Sequence, residues 1–194
     1  MTEVSEERAR PGGERPACII VFVCTGNTCR SPMAEAICKK GLADRLGCTI
    51  DDLPERGYVV CSAGLAAEEG APAAEHAVAI AQSLGVDLTA HQSEPLTAEL
   101  VEQATHLLGM TQSHVGIMEA FFPGKARLLG PTGEDVVDPI GQPQEVYDAC
   151  ARQMTGYIER LVEEVLNPHL PPLSPHPPAP SPKEGEGEKD SQGT

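Results

Sequence analysis

Four short apolar runs, each bounded by turn signals and separated by stretches of helical period, constrain this chain more than any other feature. They are CIIVFV (Cys18 to Val23), YVVC (Tyr58 to Cys61), THLLGM (Thr105 to Met110) and ARLLG (Ala126 to Gly130). Runs of this length, rich in branched residues and without polar alternation, suit strands buried on both faces by covering helices. Helical stripes lie at Met33, Ile37 and Gly41, at Ala77, Ile80, Ala81 and Leu84, and through Val146, Cys150, Met154, Tyr157, Leu161 and Val165. This alternation predicts an α/β domain with a four-stranded, doubly wound parallel sheet. The ligand site of such a domain lies beyond the carboxyl ends of the strands, at a topological switch point. The first strand is expected to end at Val23, so the site should begin there.

The 194 residues divide into three expected segments. Residues 1–16 lack periodicity and read as a flexible arm, residues 17–167 as one domain, and residues 168–194 as a disordered Pro/Glu/Gly-rich tail. The tail's PxxP-like spacing could dock to an aromatic groove, but an inert extension fits it better. A formal charge of −15 argues against nucleic acid and anionic membranes as partners, because their phosphates repel such a surface. No signal peptide is legible and the apolar runs are too short to span a bilayer, so a soluble cytoplasmic protein is expected. Seven irregularly spaced cysteines then suit reduced thiols better than a disulfide framework. Nothing in the text speaks to oligomeric state.

The chemistry is concentrated in VCTGNTCRSPMAEA, residues 23 to 36, between the first strand and the first helix. A tight loop here, with Gly26 free to take positive φ, turns successive N–H groups inward as a nest for a tetrahedral anion. Ser31 and Pro32 read as N-cap and first helical residue, which aims the positive end of the helix dipole at the nest. A thiol placed there beside a cation is expected to react as the thiolate, making Cys24 a nucleophile. Arg30 supplies a planar fork for two phosphoryl oxygens. Thr25, Gly26, Asn27, Thr28, Cys29 and Ser31 are assigned to substrate binding, Asn27 chiefly as a brace of the loop and Ser31 as a hydrogen-bond donor to the leaving thiolate.

The departing group needs a proton, and GEDVVDPIGQP (residues 133 to 143) offers Asp138, stiffened by Pro139 in a loop after the last strand. Asp138 is expected to act as acid in phosphoryl transfer to Cys24 and then as base for the hydrolytic water. Asp135 is the competing carboxylate. The scheme needs no cofactor and no metal. Cys24 and Cys29 do not read as half a zinc site, since no second Cys/His pair has ligand spacing. Cys29 fits two roles, a neutral filler of the loop or a redox partner that forms a reversible disulfide with Cys24. His76, His91, His106 and His114 belong to no motif and are expected to be structural or on the surface.

From Cys18 to about Leu166 the chain resembles the low-molecular-weight protein-tyrosine-phosphatase family. The resemblance rests on CTGNTCRSPMAEA, SAG at Ser62 to Gly64, MT at Met110 and Thr111, and DP at Asp138 and Pro139, in that order. It implies a Rossmann-like phosphatase fold, catalytic roles for Cys24, Arg30 and Asp138, and phosphorylated proteins as substrates. Thr28 makes the chain most like the protein arginine phosphatase branch, because tyrosine-directed members usually carry a larger aliphatic residue there. A hydroxyl near the entering head group suits a guanidinium better than a phenyl ring. Ile140, expected to flank the substrate, departs from the aromatic residue usual in relatives. Three rivals remain: a tyrosine phosphatase on the same scaffold, an arsenate reductase, and a noncatalytic phosphoresidue-binding module. The second lacks its further cysteines in Ser62 to Ala149, and the third gains nothing from a general acid.

Overall fold

The computed structural model describes residues 18–167. The expected arm at 1–16 and the tail at 168–194 lie outside the described residues. Four parallel strands, β1 (Cys18–Cys24), β2 (Tyr58–Gly64), β3 (His106–Gly109) and β4 (Ala126–Leu128), form a sheet in the order β2-β1-β3-β4. All three pairings are parallel, so every connection crosses over the sheet. β1 is central, with β2 on one side and β3 on the other, and the switch point therefore opens at its carboxyl end.

Side-chain alternation along β1 divides the core in two. Ile20, Phe22 and Cys24 face one layer, which contains α1 (Arg30–Leu46), α2 (Glu75–Ser83) and α5 (Gln144–Leu166). Val21 and Val23 face the other, with Val101 of α3 (Ala98–Gln103) and Met118 of α4 (Gln112–Phe121). α1 packs on α5 at Gly41, where a Cβ would stand in ordinary contact with Val162 at 3.5 Å. α1 stops at Gly47, which takes φ 63° and caps back to the Ala43 carbonyl. Among the described residues no helix is long and apolar enough to cross a membrane.

The elements differ from the sequence expectation in detail. β1 runs through Cys24 and β2 through Gly64, because their last residues pair with each other. The stripe of α5 is centred on Tyr147, Cys150, Met154, Ile158 and Leu161, with Tyr157 and Val165 only partly buried. Leu84 is the C-cap of α2 rather than part of the helix. α3 and α4, capped by the Thr97 and Thr111 hydroxyls, carry no stripe clear enough to have been expected.

Candidate active site

β1 delivers Cys24 to the mouth of the switch point, and the loop 25–29 wraps back over it before α1 begins. The Cys24 thiol is nearly buried but polar in its surroundings. Its Sγ lies 3.0 Å from Ser31 Oγ and receives the Asn27 N–H at 3.3 Å. Sulfur at a strand's end facing a main-chain donor and a hydroxyl has polar partners that a cysteine packed only against hydrocarbon lacks.

The loop's shape is set by Asn27, and here two local expectations are corrected. Asn27, not Gly26, adopts the left-handed conformation, with φ 54°. Its fully buried amide is saturated: Nδ2 donates to Ser31 Oγ and Ser62 Oγ, both at 2.9 Å, while Oδ1 accepts from Glu94 N at 2.9 Å. His91 Nε2 contacts its main-chain oxygen at 2.8 Å. The bracing expected of Asn27 thus engages its whole side chain, and it meets Cys24 only through its main-chain N–H. Ser31, in turn, is not the N-cap. α1 starts at Arg30 with Cys29 before it, and the first-turn Ser31 hydroxyl is used by Cys24 and Asn27 instead. Because the Asn27 amide already donates to Ser31 Oγ, the Ser31 hydroxyl proton is left for the sulfur at 3.0 Å or for the Ala63 carbonyl at 3.3 Å.

Arg30 and Asp138 meet across the mouth, Nη2 to Oδ2 at 2.6 Å, with the Arg30 side chain 6% exposed and Asp138 44%. The other Asp138 oxygen accepts the Ile140 N–H at 3.2 Å, so Pro139 and this turn aim the carboxyl group inward. Asp135 is turned elsewhere and accepts the Gln112 N–H at the start of α4 at 2.7 Å. Thr28 is half-buried on the loop and Thr25 exposed, while Ile140 and Val137 form an apolar lip beside Asp138. Cys29 is buried, its Sγ 3.2 Å from the Tyr147 hydroxyl and 3.6 Å from Thr28 Oγ1. Burial and the nearby Cys29 push the Tyr147 phenol up, which keeps its hydroxyl protonated.

Several braces escaped the sequence reading. Glu35 accepts from Ser62 Oγ at 2.7 Å and extends the chain of bonds beginning at Cys24. His91 and His114 hold the loop at Asn27 and Thr25, and Tyr147 holds it at Cys29. Glu35 and Ser62 lie in stretches already singled out, CTGNTCRSPMAEA and SAG, whereas Tyr147 lies in neither. Gly64 of SAG is also required, because a Cβ there would stand 2.7 Å from the Thr25 carbonyl oxygen.

A strand-end thiol, a loop braced by a buried Asn, and an arginine joined to a loop aspartate are the parts that a cysteine-dependent phosphatase on a doubly wound sheet requires. In agreement, residues 19–168 match the family described as low molecular weight phosphotyrosine protein phosphatase, and the chain belongs to that family. A protein-arginine-phosphatase of Geobacillus stearothermophilus is 37% identical over 153 residues, covering 75% of this chain and 95% of the relative. The low molecular weight protein-tyrosine-phosphatase Etp of Escherichia coli K12 is 31% identical, covering 75% and 90%. Among solved structures, a YwlE arginine phosphatase mutant with a phosphorylated active-site serine is 34% identical with a TM-score of 0.68. That match covers 78% of this chain and 97% of the other.

Proposed function

We propose that this protein hydrolyses phosphoarginine in proteins through a phosphorylated Cys24. The observation that carries the chemistry is the Cys24 sulfur held by the Asn27 N–H and the Ser31 hydroxyl, on the same stretch of chain whose Arg30 is paired with Asp138. In the first step Cys24 Sγ attacks phosphorus and the bond to the guanidino nitrogen breaks, with Asp138 passing a proton to that nitrogen. Arg30 and the inward N–H groups of the loop hold the equatorial oxygens as charge redistributes. In the second step Asp138 takes a proton from water, which attacks the thiophosphate. Sulfur departs as a thiolate stabilised by Ser31 and Asn27.

Phosphoarginine is favoured over phosphotyrosine by Thr28 at the loop and by the arginine phosphatases among the relatives. Tyrosine-phosphatase activity is the second reading, supported by relatives such as Etp. Release of phosphate from phosphoarginine and phosphotyrosine proteins, assayed side by side, decides between them. We expect faster turnover of phosphoarginine, loss of both activities in Cys24→Ser, and a shift toward phosphotyrosine in Thr28→Ile. Faster phosphotyrosine turnover by the unaltered protein refutes the substrate assignment, and substantial turnover by Cys24→Ser refutes the covalent route.

A further inference from the structure

His114 is buried on the first turn of α4, and both of its ring nitrogens are engaged. Nε2 lies 2.9 Å from Thr25 Oγ1, and Nδ1 lies 2.9 Å from the Oγ1 of Thr111, the residue that caps α4. Gly109, at the end of β3, makes room for it, since a Cβ there would stand 3.2 Å from the His114 Cβ. Thr25 directly follows the nucleophile. Its carbonyl is held from the β2 side by the Ala66 N–H at 2.9 Å, and its side chain from the α4 side by His114. The same turn also grips the loop that carries Asp138. The Gln112 N–H bonds Asp135 at 2.7 Å, Gln112 Nε2 bonds the Gly133 carbonyl at 3.3 Å, and the Met110 carbonyl accepts the Val136 N–H at 2.8 Å. One short stretch of chain therefore ties the nucleophile's loop to the acid's loop.

We propose that His114 is a positioning residue for phosphoryl transfer, acting through the Thr25 hydroxyl to fix the loop beside Cys24. The inference rests on the phosphatase reading above, and no motif used for that reading contains His114. A hydroxyl held at a fixed bearing locks Thr25, and with it the direction in which the adjoining peptide groups present their N–H bonds to the anion. The ring does this in its neutral form. One nitrogen donates and the other accepts, and either hydroxyl can take the complementary role. Burial, followed by the nearby charge of Arg30, holds the His114 pKa below its ordinary value, against the opposing pull of Asp138 and Asp135.

The two bonds can be separated by isosteric amides. The terminus of Gln reaches the place of Nε2 and that of Asn the place of Nδ1, so His114→Gln keeps the Thr25 contact and His114→Asn keeps the Thr111 contact. Turnover of an aryl phosphate and the site-resolved alkylation rate of Cys24 by iodoacetamide are measured for both variants, with His114→Leu and Thr25→Val. We expect His114→Leu, His114→Asn and Thr25→Val each to lower kcat by roughly tenfold, the effect of one lost hydrogen bond, while His114→Gln stays within about threefold. The double variant His114→Leu/Thr25→Val should be no slower than either single one. Wild-type turnover in His114→Asn with loss in His114→Gln, or additive losses in the double variant, overturns the proposal, because His114 would then serve only the helix cap. If the unaltered protein turns over no phosphate compound, the phosphatase reading fails. The alkylation rates still decide the role of His114, because they report the surroundings of the Cys24 sulfur without requiring turnover. An altered Cys24 rate in His114→Leu and His114→Asn, restored in His114→Gln, supports it; equal rates in all four proteins refute it.

Discussion

Gly64→Ala tests whether the loop around Cys24 is shaped by contact with the end of β2. A Cβ at this position would stand 2.7 Å from the Thr25 carbonyl oxygen, 2.9 Å from Ala67 Cβ and 3.0 Å from Asn27 N. Two of these are main-chain atoms that cannot swing aside as a side chain would. Ordinary contact begins near 3.4 Å, so the Thr25 carbonyl must retreat by about 0.7 Å. It cannot do so alone: the Ala66 N–H holds it, and Asn27 N is bonded to Cys24 Sγ. The displacement therefore passes into the nest. Overpacking of this kind costs ~1–3 kcal/mol. For a domain of this size each kcal/mol lowers the melting temperature by about 2–4 °C. A misplacement approaching ~1 Å at reacting groups costs up to ~100-fold in rate. We expect Gly64→Ala to melt several degrees lower and to lose roughly 10- to 100-fold in kcat/KM toward an aryl phosphate. Gly47→Ala is the control, because it strains a φ of 63° in open space at the far end of α1. It should lose about 1 kcal/mol of stability and no activity. A Gly64→Ala protein that keeps wild-type kcat/KM would refute the reasoning, since the loop would then not depend on this contact.

Other expectations follow from burial and charge. Burial pushes the Cys61 thiol up to about 11 and that of Cys150 to about 12, and raises Cys38 further, so Cys24 should be alkylated ahead of all three at neutral pH. Labelling of Cys38 before Cys24, read by mass spectrometry, would contradict the assignment of the reactive thiol. Burial, aided by Arg127 at His106 and by Arg30 at His114, depresses both histidines in the fold. The unfolded chain then takes up protons first, so the histidines' contribution is unchanged above about pH 6.5, falls as pH drops from there, and levels off below the folded values. Urea midpoints between pH 8 and pH 5 should show that slope, and His106→Gln should flatten it. A net charge of −15 also repels acidic substrates over a screening length that shrinks from ~30 Å at 0.01 M salt to ~8 Å at 0.15 M. Accordingly, kcat/KM for an acidic phosphopeptide should rise with added salt and that for a basic one should fall; the reverse order would exclude long-range repulsion.

What was legible in the sequence was whatever depends on neighbours along the chain. The four apolar runs fixed the sheet, and residues 23 to 36 carried the nucleophile, its arginine and its serine within a single turn of loop and helix. What was not legible depends on partners far apart in sequence. Ser31 before Pro32 satisfies the local rule for a cap, yet α1 already begins at Arg30, and the Ser31 hydroxyl serves the buried Cys24 sulfur and Asn27 amide instead. Gly26 satisfies the local rule for positive φ, yet Asn27 takes it because three long-range or loop-closing bonds to its amide stabilise that conformation.

α4 was hidden for a different reason. Along QSHVGIMEAF the apolar residues make two competing stripes: Val115 and Met118 are buried, while Ile117 and Phe121 stand 49% and 75% exposed. Two half-stripes on a short helix give no single apolar face of the kind read for α1, α2 and α5. His114 was hidden with it, since its value comes from facing Thr25 across 89 residues of chain. Sequence reasoning can find a nucleophile because chemistry demands particular atoms at particular spacings. It finds the struts that hold that nucleophile only where the same local pattern happens to include them, as SAG includes Ser62 and Gly64, and α4 offers no such pattern.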